Sequence, residues 1–175
     1  MISTAQQLFL QYYATCRNVT TGDILAVLSI STKSLESTRK TRDIINVIHY
    51  LNSKRGKEYK PMEYAGDEFY ELKKDLVESE YQVLTRIGFG LRKCELWGYL
   101  VGFARVLECS VEECWKVGND VLGTFGGVFF DWRDLAGGIV KFVNERELPR
   151  GWEEVLGVDS ESVCIVEKIC WRMYR

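Results

Sequence analysis

Apolar residues recur at offsets of three and four along nearly the whole of this chain, and alternating strand patterns are nearly absent. That period commits the chain to helices that each bury one face against another. It can be followed over residues 4–13, 23–32, 38–52, 67–87, 94–107, 111–125, 132–147, 152–156 and 160–174, with 67–87 readable as one long helix or a helix pair. The breaks are equally plain: Thr21-Gly22-Asp23, the loop-like run 53–61 with Gly56 and Pro61, Gly88-Phe89-Gly90, Gly126-Gly127 and Leu148-Pro149-Arg150-Gly151. Gly88 is placed for a left-handed helix cap. The sequence therefore predicts two consecutive all-helical units that meet between residues 88 and 93, with no short-period repeat and no low-complexity segment.

The first unit turns on the stretch from Lys33 to Asn46. The helix before it, Asp23-Ile24-Leu25-Ala26-Val27-Leu28-Ser29-Ile30-Ser31-Thr32, is apolar on most faces and belongs in a core, and Lys33 stands where it should surface. In the helix after it, Ile44, Val47, Ile48 and Leu51 share one face. Arg39, Lys40, Arg42 and Asp43 crowd the first turns of that helix, where basic charge opposes the helix dipole. Farther on, Phe69, Leu72, Leu76, Tyr81, Val83, Leu84 and Ile87 supply the apolar faces of 67–87.

Composition bounds the function. With 175 residues and 46% hydrophobic content the chain can bury a substantial core. No run approaches the roughly 18 apolar residues that a membrane span needs, and no signal-peptide pattern opens the sequence, so an intracellular protein is expected. Six cysteines without a CxxC pair are expected as reduced, buried thiols. Residues 1–93 hold 14 Lys+Arg against 11 Asp+Glu, a net of +3, and the remainder holds 9 against 14, a net of −5. An acidic second half argues against a dedicated nucleic-acid binder and for a protein partner. Enzymatic patterns are weak: His49 is the only histidine and has no nucleophile motif beside it. The cysteine spacings do not suit zinc, and Gly88-Phe89-Gly90 follows a helix where a phosphate-binding fingerprint needs a strand. No catalytic residue, metal ligand or cofactor is expected.

Several segments in register carry a resemblance. Lys33-Ser34-Leu35-Glu36, then Arg42-Asp43-Ile44-Ile45-Asn46-Val47-Ile48-His49, then Glu80-Tyr81-Gln82-Val83-Leu84 leading into Ile87-Gly88-Phe89, together resemble the cyclin box. Ser53-Lys54-Arg55-Gly56-Lys57 is similar to the basic insertion of L-type transcriptional cyclins, and Trp115-Lys116-Val117-Gly118-Asn119-Asp120-Val121-Leu122-Gly123-Thr124 to a motif of their second box. The resemblance implies an all-α fold of two consecutive cyclin-box repeats, residues 1–92 and 93–175, the first repeat lacking its first helix. It also implies a nuclear regulatory subunit that binds and activates a cyclin-dependent protein kinase through the kinase's C helix, in transcription or pre-mRNA processing. Lys33 and Glu80 would be the polar centre of that contact, with Ser34, Leu84 and Leu76 around them. Without the resemblance, Lys33 and Glu80 read as solvated surface charges, Asn46 as a satisfied amide, the run 54–60 as a solvated loop, and Trp115, Trp132, Trp152 and Trp171 as packing residues. The alternative within the same fold is a TFIIB-type transcription factor that docks DNA or polymerase, for which the second repeat should be basic.

Overall fold

The computed structural model describes residues 2–16, 18–37, 39–52, 62, 66–144 and 148–174. Residues 53–61, which carry the basic insertion, the side chains of Ile48 and Leu51, and residues 145–147 at the end of the expected 132–147 helix lie outside the described residues. Every regular element among the described residues is a helix. The chain divides into two compact units, Met1–Lys93 and Cys94–Arg175.

The first unit contains α1 (Ile2–Thr15), α2 (Thr21–Ser34), α3 (Thr41–Asn52) and α4 (Asp67–Arg86). Helix α2 packs against all three others. Its start is fixed by a capping box: the Thr20 hydroxyl accepts the Asp23 N–H at 3.2 Å, and the Asp23 carboxylate accepts the Thr20 N–H at 2.8 Å. Ala26, Val27 and Ile30 of α2 meet Leu76 and Val83 of α4 in the core. One strip of α2 stays open, however. Ile24 and Leu28 are exposed and, with Leu25, Ile44 and Val47, line a groove of about 400 Å³ between α2 and α3. The expectation that α2 is core on most sides is corrected to that extent.

Helix α3 starts later than the sequence suggested, at Thr41. The Lys40 carbonyl accepts the N–H groups of Asp43 and Ile44, so Arg39 and Lys40 precede the helical residues. Arg42 lies 3.6 Å from the Asp43 carboxylate. The charge conflict expected in the first turns is thereby reduced: two of the three cations are not helical, and the third sits beside an anion. Asn46 accepts the Met62 N–H at 3.3 Å and fastens the segment after α3, a structural use of the amide.

The second unit comprises α5 (Leu96–Val106), α6 (Val111–Leu122), α7 (Gly126–Phe129), α8 (Trp132–Val143), α9 (Trp152–Leu156) and α10 (Ser160–Met173). Helix α8 is its axis, and Leu135, Ala136, Ile139 and Val140 are fully buried between α5, α6 and α10. Gly138 sets the closeness of α8 to α10. A Cβ there would stand 2.5 Å from the Val166 Cβ and 3.1 Å from the Val163 carbonyl oxygen. Trp132 and Trp152 are buried as packing residues, whereas Trp115 and Trp171 are substantially exposed. All six cysteines are free thiols, with Cys114 and Cys170 fully buried. The single-turn α7 lies where the sequence suggested a Gly-Gly break.

Candidate partner-binding site

Helix α2 ends in a turn that determines where Lys33 points. The Ser37 N–H donates to the Thr32 carbonyl at 3.1 Å and the Glu36 N–H to the Lys33 carbonyl at 3.2 Å, the paired bonds of a Schellman motif. Its left-handed residue is Glu36, at φ 55°, where a side chain costs about 1 kcal/mol or more relative to glycine. Helix α4 ends in the same way with an unstrained residue: Gly88, at φ 64°, donates to the Thr85 carbonyl at 3.2 Å, and Phe89 to the Leu84 carbonyl at 2.8 Å. Thus the helix carrying Lys33 and the helix carrying Glu80 both have closed, hydrogen-bonded C-termini.

The two charges meet across 47 residues of sequence. Lys33 Nζ donates to both Glu80 carboxylate oxygens, each at 2.7 Å. The lysine side chain is 56% exposed and the glutamate 13%. With the lysine more than half exposed, solvent screens the pair, and it is worth about 1 kcal/mol or less to the fold. Its consequence is geometric: an ammonium with a further donor, and a carboxylate with further lone pairs, are presented together at the surface on two packed helices.

The remaining expected residues divide. Ser34 follows Lys33 and is partly buried, its hydroxyl donating to the Ser31 carbonyl at 2.9 Å. Leu84 stands one turn beyond Glu80 on α4 and is partly buried. Leu76, one turn before Glu80, is 2% exposed and belongs to the core, so it supports α4 from beneath and offers no surface. Tyr81, expected on an apolar packing face, is 67% exposed, and Val77 is 57% exposed. Tyr70, Val77 and Tyr81 are spaced seven and four residues apart and form an outward apolar stripe on α4 next to the Glu80 edge. Sequence reasoning assigned Tyr81 inward because apolar identity alone does not distinguish a helix's buried face from an uncovered one. The angular offset of Tyr70, Val77 and Tyr81 from Phe69, Leu76 and Val83 was the available signal.

No group of three or more His, Cys, Asp or Glu side chains is placed to hold a metal ion among the described residues. No helix among them is long and apolar enough to cross a membrane. The perturbed titratable groups lie away from the Lys33–Glu80 pair. Burial pushes the Cys114 and Cys170 thiols up to about 12, and burial together with the nearby Asp23 carboxylate raises the Tyr12 hydroxyl to about 12.

Comparison with known proteins bears on this arrangement. No family model matches the chain. Human cyclin-L2 is 30% identical over 144 residues, covering 77% of this chain and 28% of that protein. Mouse cyclin-L2 is 27% identical over 186 aligned residues, 98% of this chain and 35% of that protein, and zebrafish cyclin-L1 is 29% identical over 117, 64% and 23%. The chain is cyclin-like, similar in sequence to the L type. It spans about a quarter to a third of the length of these curated relatives. Its fold agrees with that of a chain in the crystal structure of the yeast RNA Pol II CTD kinase CTDK-1 complex, with a TM-score of 0.83 at 18% identity, covering 99% of this chain and 58% of that one. The cyclin-like fold is all-α, as the cyclin-box resemblance implied, and its first unit has four helices among the described residues, with Leu8 and Phe9 on α1.

Proposed function

We propose that this chain is the regulatory subunit of a cyclin-dependent protein kinase, with residues 1–92 and 93–175 each serving as one cyclin-box repeat. The kinase's C helix docks across the end of α2 and the middle of α4, and the complex acts in the nucleus, in transcription or pre-mRNA processing. The observation that carries this reading is the Lys33–Glu80 pair, prealigned at 2.7 Å, its lysine exposed and its glutamate half-buried beside the apolar stripe of α4. The L-type similarity supports it further.

In this role the chain performs no chemistry. Lys33 supplies a hydrogen-bond donor and Glu80 acceptors to the docked helix, while Ser34, Leu84, Val77 and Tyr81 surround them; Leu76 acts only through the packing of α4. The chain activates by binding the kinase's active arrangement more tightly than the inactive one, because only a difference in affinity shifts a population. Two isolated surface charges would add little. Once covered by a partner they become costly to separate, and truncating one costs about 2–5 kcal/mol because the other is left buried and unpaired.

The test is co-expression with candidate nuclear kinases, followed by affinity and activity measurements on Lys33→Ala and Glu80→Ala. Each variant should weaken kinase binding by roughly 30-fold or more while far-UV circular dichroism and melting temperature stay unchanged. Retention of full affinity in both variants, or failure of every kinase to be retained by the unaltered chain, would overturn the proposal.

A further inference from the structure

The open strip of α2 has a definite shape and a definite charge. Ile24, Leu25 and Leu28 of α2 and Ile44 and Val47 of α3 line a groove of about 400 Å³, and Ile24, Leu28 and Val47 remain 43%, 42% and 55% exposed. A continuous apolar surface with a charged rim marks a site of association. The groove follows α2 from Thr21 to Thr32, roughly 16 Å or three turns of helix. Every regular element among the described residues is a helix, so an extended peptide finds no strand edge to pair with there. A helix satisfies its own backbone and can lie in such a groove on side chains alone. Charge is confined to one end: Arg39 and Asp43, at the start of α3, line the groove, whereas Thr21 and Ile24 at the other end are uncharged. The Asp43 carboxylate already faces Arg42 at 3.6 Å, but Arg39 makes no ion pair among the described residues, and Lys40 is exposed beside it. Residues 39–43 hold three cations against one anion, so that end is net cationic.

We propose that this groove receives an acidic amphipathic helix of a partner protein. Apolar residues of the partner at i, i+4 and i+7 seat between α2 and α3, and its carboxylates lie at the end that meets Arg39. A basic helix would meet like charge at Arg39 and Lys40, and an uncharged one would leave both cations unanswered, so charge selects the partner while the apolar floor holds it. The site does not depend on the kinase-subunit reading. Lys33 stands nine residues from Ile24, about half a turn around α2, so the groove and the Lys33–Glu80 pair face opposite sides of that helix.

The experiment is fluorescence anisotropy of the full chain with three labelled helical peptides of about 15 residues: one with leucines at i, i+4 and i+7 and glutamates at one end, one with lysines in place of the glutamates, and one of the first composition with its leucines scattered around the helix. The acidic peptide should bind saturably, the lysine peptide at least 10-fold more weakly, and the scattered peptide not measurably. Ile24→Ser/Leu28→Ser changes two exposed side chains and should weaken the acidic peptide at least 10-fold with the helical spectrum retained. Arg39→Glu should weaken the acidic peptide and strengthen the lysine peptide. Absence of saturable binding, equal affinity for the two charged peptides, or undiminished binding by the Ile24/Leu28 variant would each overturn the assignment. So would sedimentation showing a dimer of the unaltered chain that dissociates in that variant, because the occupant would then be a second copy.

Discussion

The two units reach a packed interior by different routes. In Cys94–Arg175 the buried residues are almost wholly apolar, built around α8, and the α8–α10 approach is so close that Gly138 has no room for a side chain. In Met1–Lys93 the buried set also includes Thr4, Gln7, Asp23, Ser29, Ser31 and Thr32, and one strip of the central helix stays uncovered. Thr32 returns its proton to the Ser29 carbonyl at 2.8 Å, and Asp23 is consumed by the capping box. Such groups, once satisfied, cost little, but they contribute less than methyl groups would. The second unit is organised to be stable. The first gives up part of its possible burial and carries the charge pair and the apolar stripe.

All five tryptophans lie in the second unit, so their fluorescence follows that unit and circular dichroism follows the whole chain, which makes the contrast measurable. The largest effect should come from Gly138→Ala. Its methyl meets Val166 and the Val163 carbonyl, rigid neighbours on α10, and overpacking of this kind costs about 1–3 kcal/mol. The tryptophan-monitored melt should fall by several degrees. Gly102→Ala on α5, which meets nothing within 4 Å, should instead leave it unchanged or raise it. Similar melts for the two variants would refute the tight α8–α10 approach.

A second contrast is in alkali. Cys114 and Cys170 have folded-state values raised above the ordinary thiol value of 9.0 to about 12. The raised acid binds its proton more tightly in the folded state, so the thiols favour folding below pH 9 relative to higher pH, and stability falls as pH climbs from 9 toward 12. Tyr12 in the first unit begins the same loss only above its ordinary 10.0. The tryptophan signal should therefore destabilise from about pH 9, measured by urea midpoint, and Cys114→Ala/Cys170→Ala should flatten that dependence. A slope unchanged in the double variant would remove the thiols as its cause.

The smallest effect concerns the paired helix ends. Glu36→Gly should stabilise the first unit by up to about 1 kcal/mol, and Gly88→Ala should destabilise it by a similar amount. The urea midpoint from circular dichroism would report both. A loss of stability in Glu36→Gly would mean that the glutamate side chain offsets its own backbone strain.

Much of the helical framework was legible because a single apolar period runs through it: α1, α2, α4, α5, α9 and α10 fall within two residues of expectation at each end. Local hydrogen bonding moved the start of α3 and the end of α6. The Lys40 carbonyl delays α3, and Gly123 closes α6 before Phe125. Helix α7 was hidden because Gly126 and Gly127 signal a break by propensity, yet both are buried, and a Cβ at Gly126 would stand 3.3 Å from Leu135 and Val121. Lys33 and Glu80 could be matched only through family resemblance, since two ordinary surface residue types carry no periodic signature. The outward stripe of Tyr70, Val77 and Tyr81 was missed because its identity as surface depends on what packs against α4.

The left-handed Glu36 links this geometry to time. Its N–H is held by the Lys33 carbonyl, and the Ser37 N–H by the Thr32 carbonyl, so these two amides exchange with solvent only when the last turn of α2 opens. The same opening frees the backbone that carries the ammonium opposite Glu80. Deuterium uptake at Glu36 and Ser37 is therefore a clock for how often the charged pair comes apart in the unbound chain, and slower uptake in a complex would record a partner holding it shut.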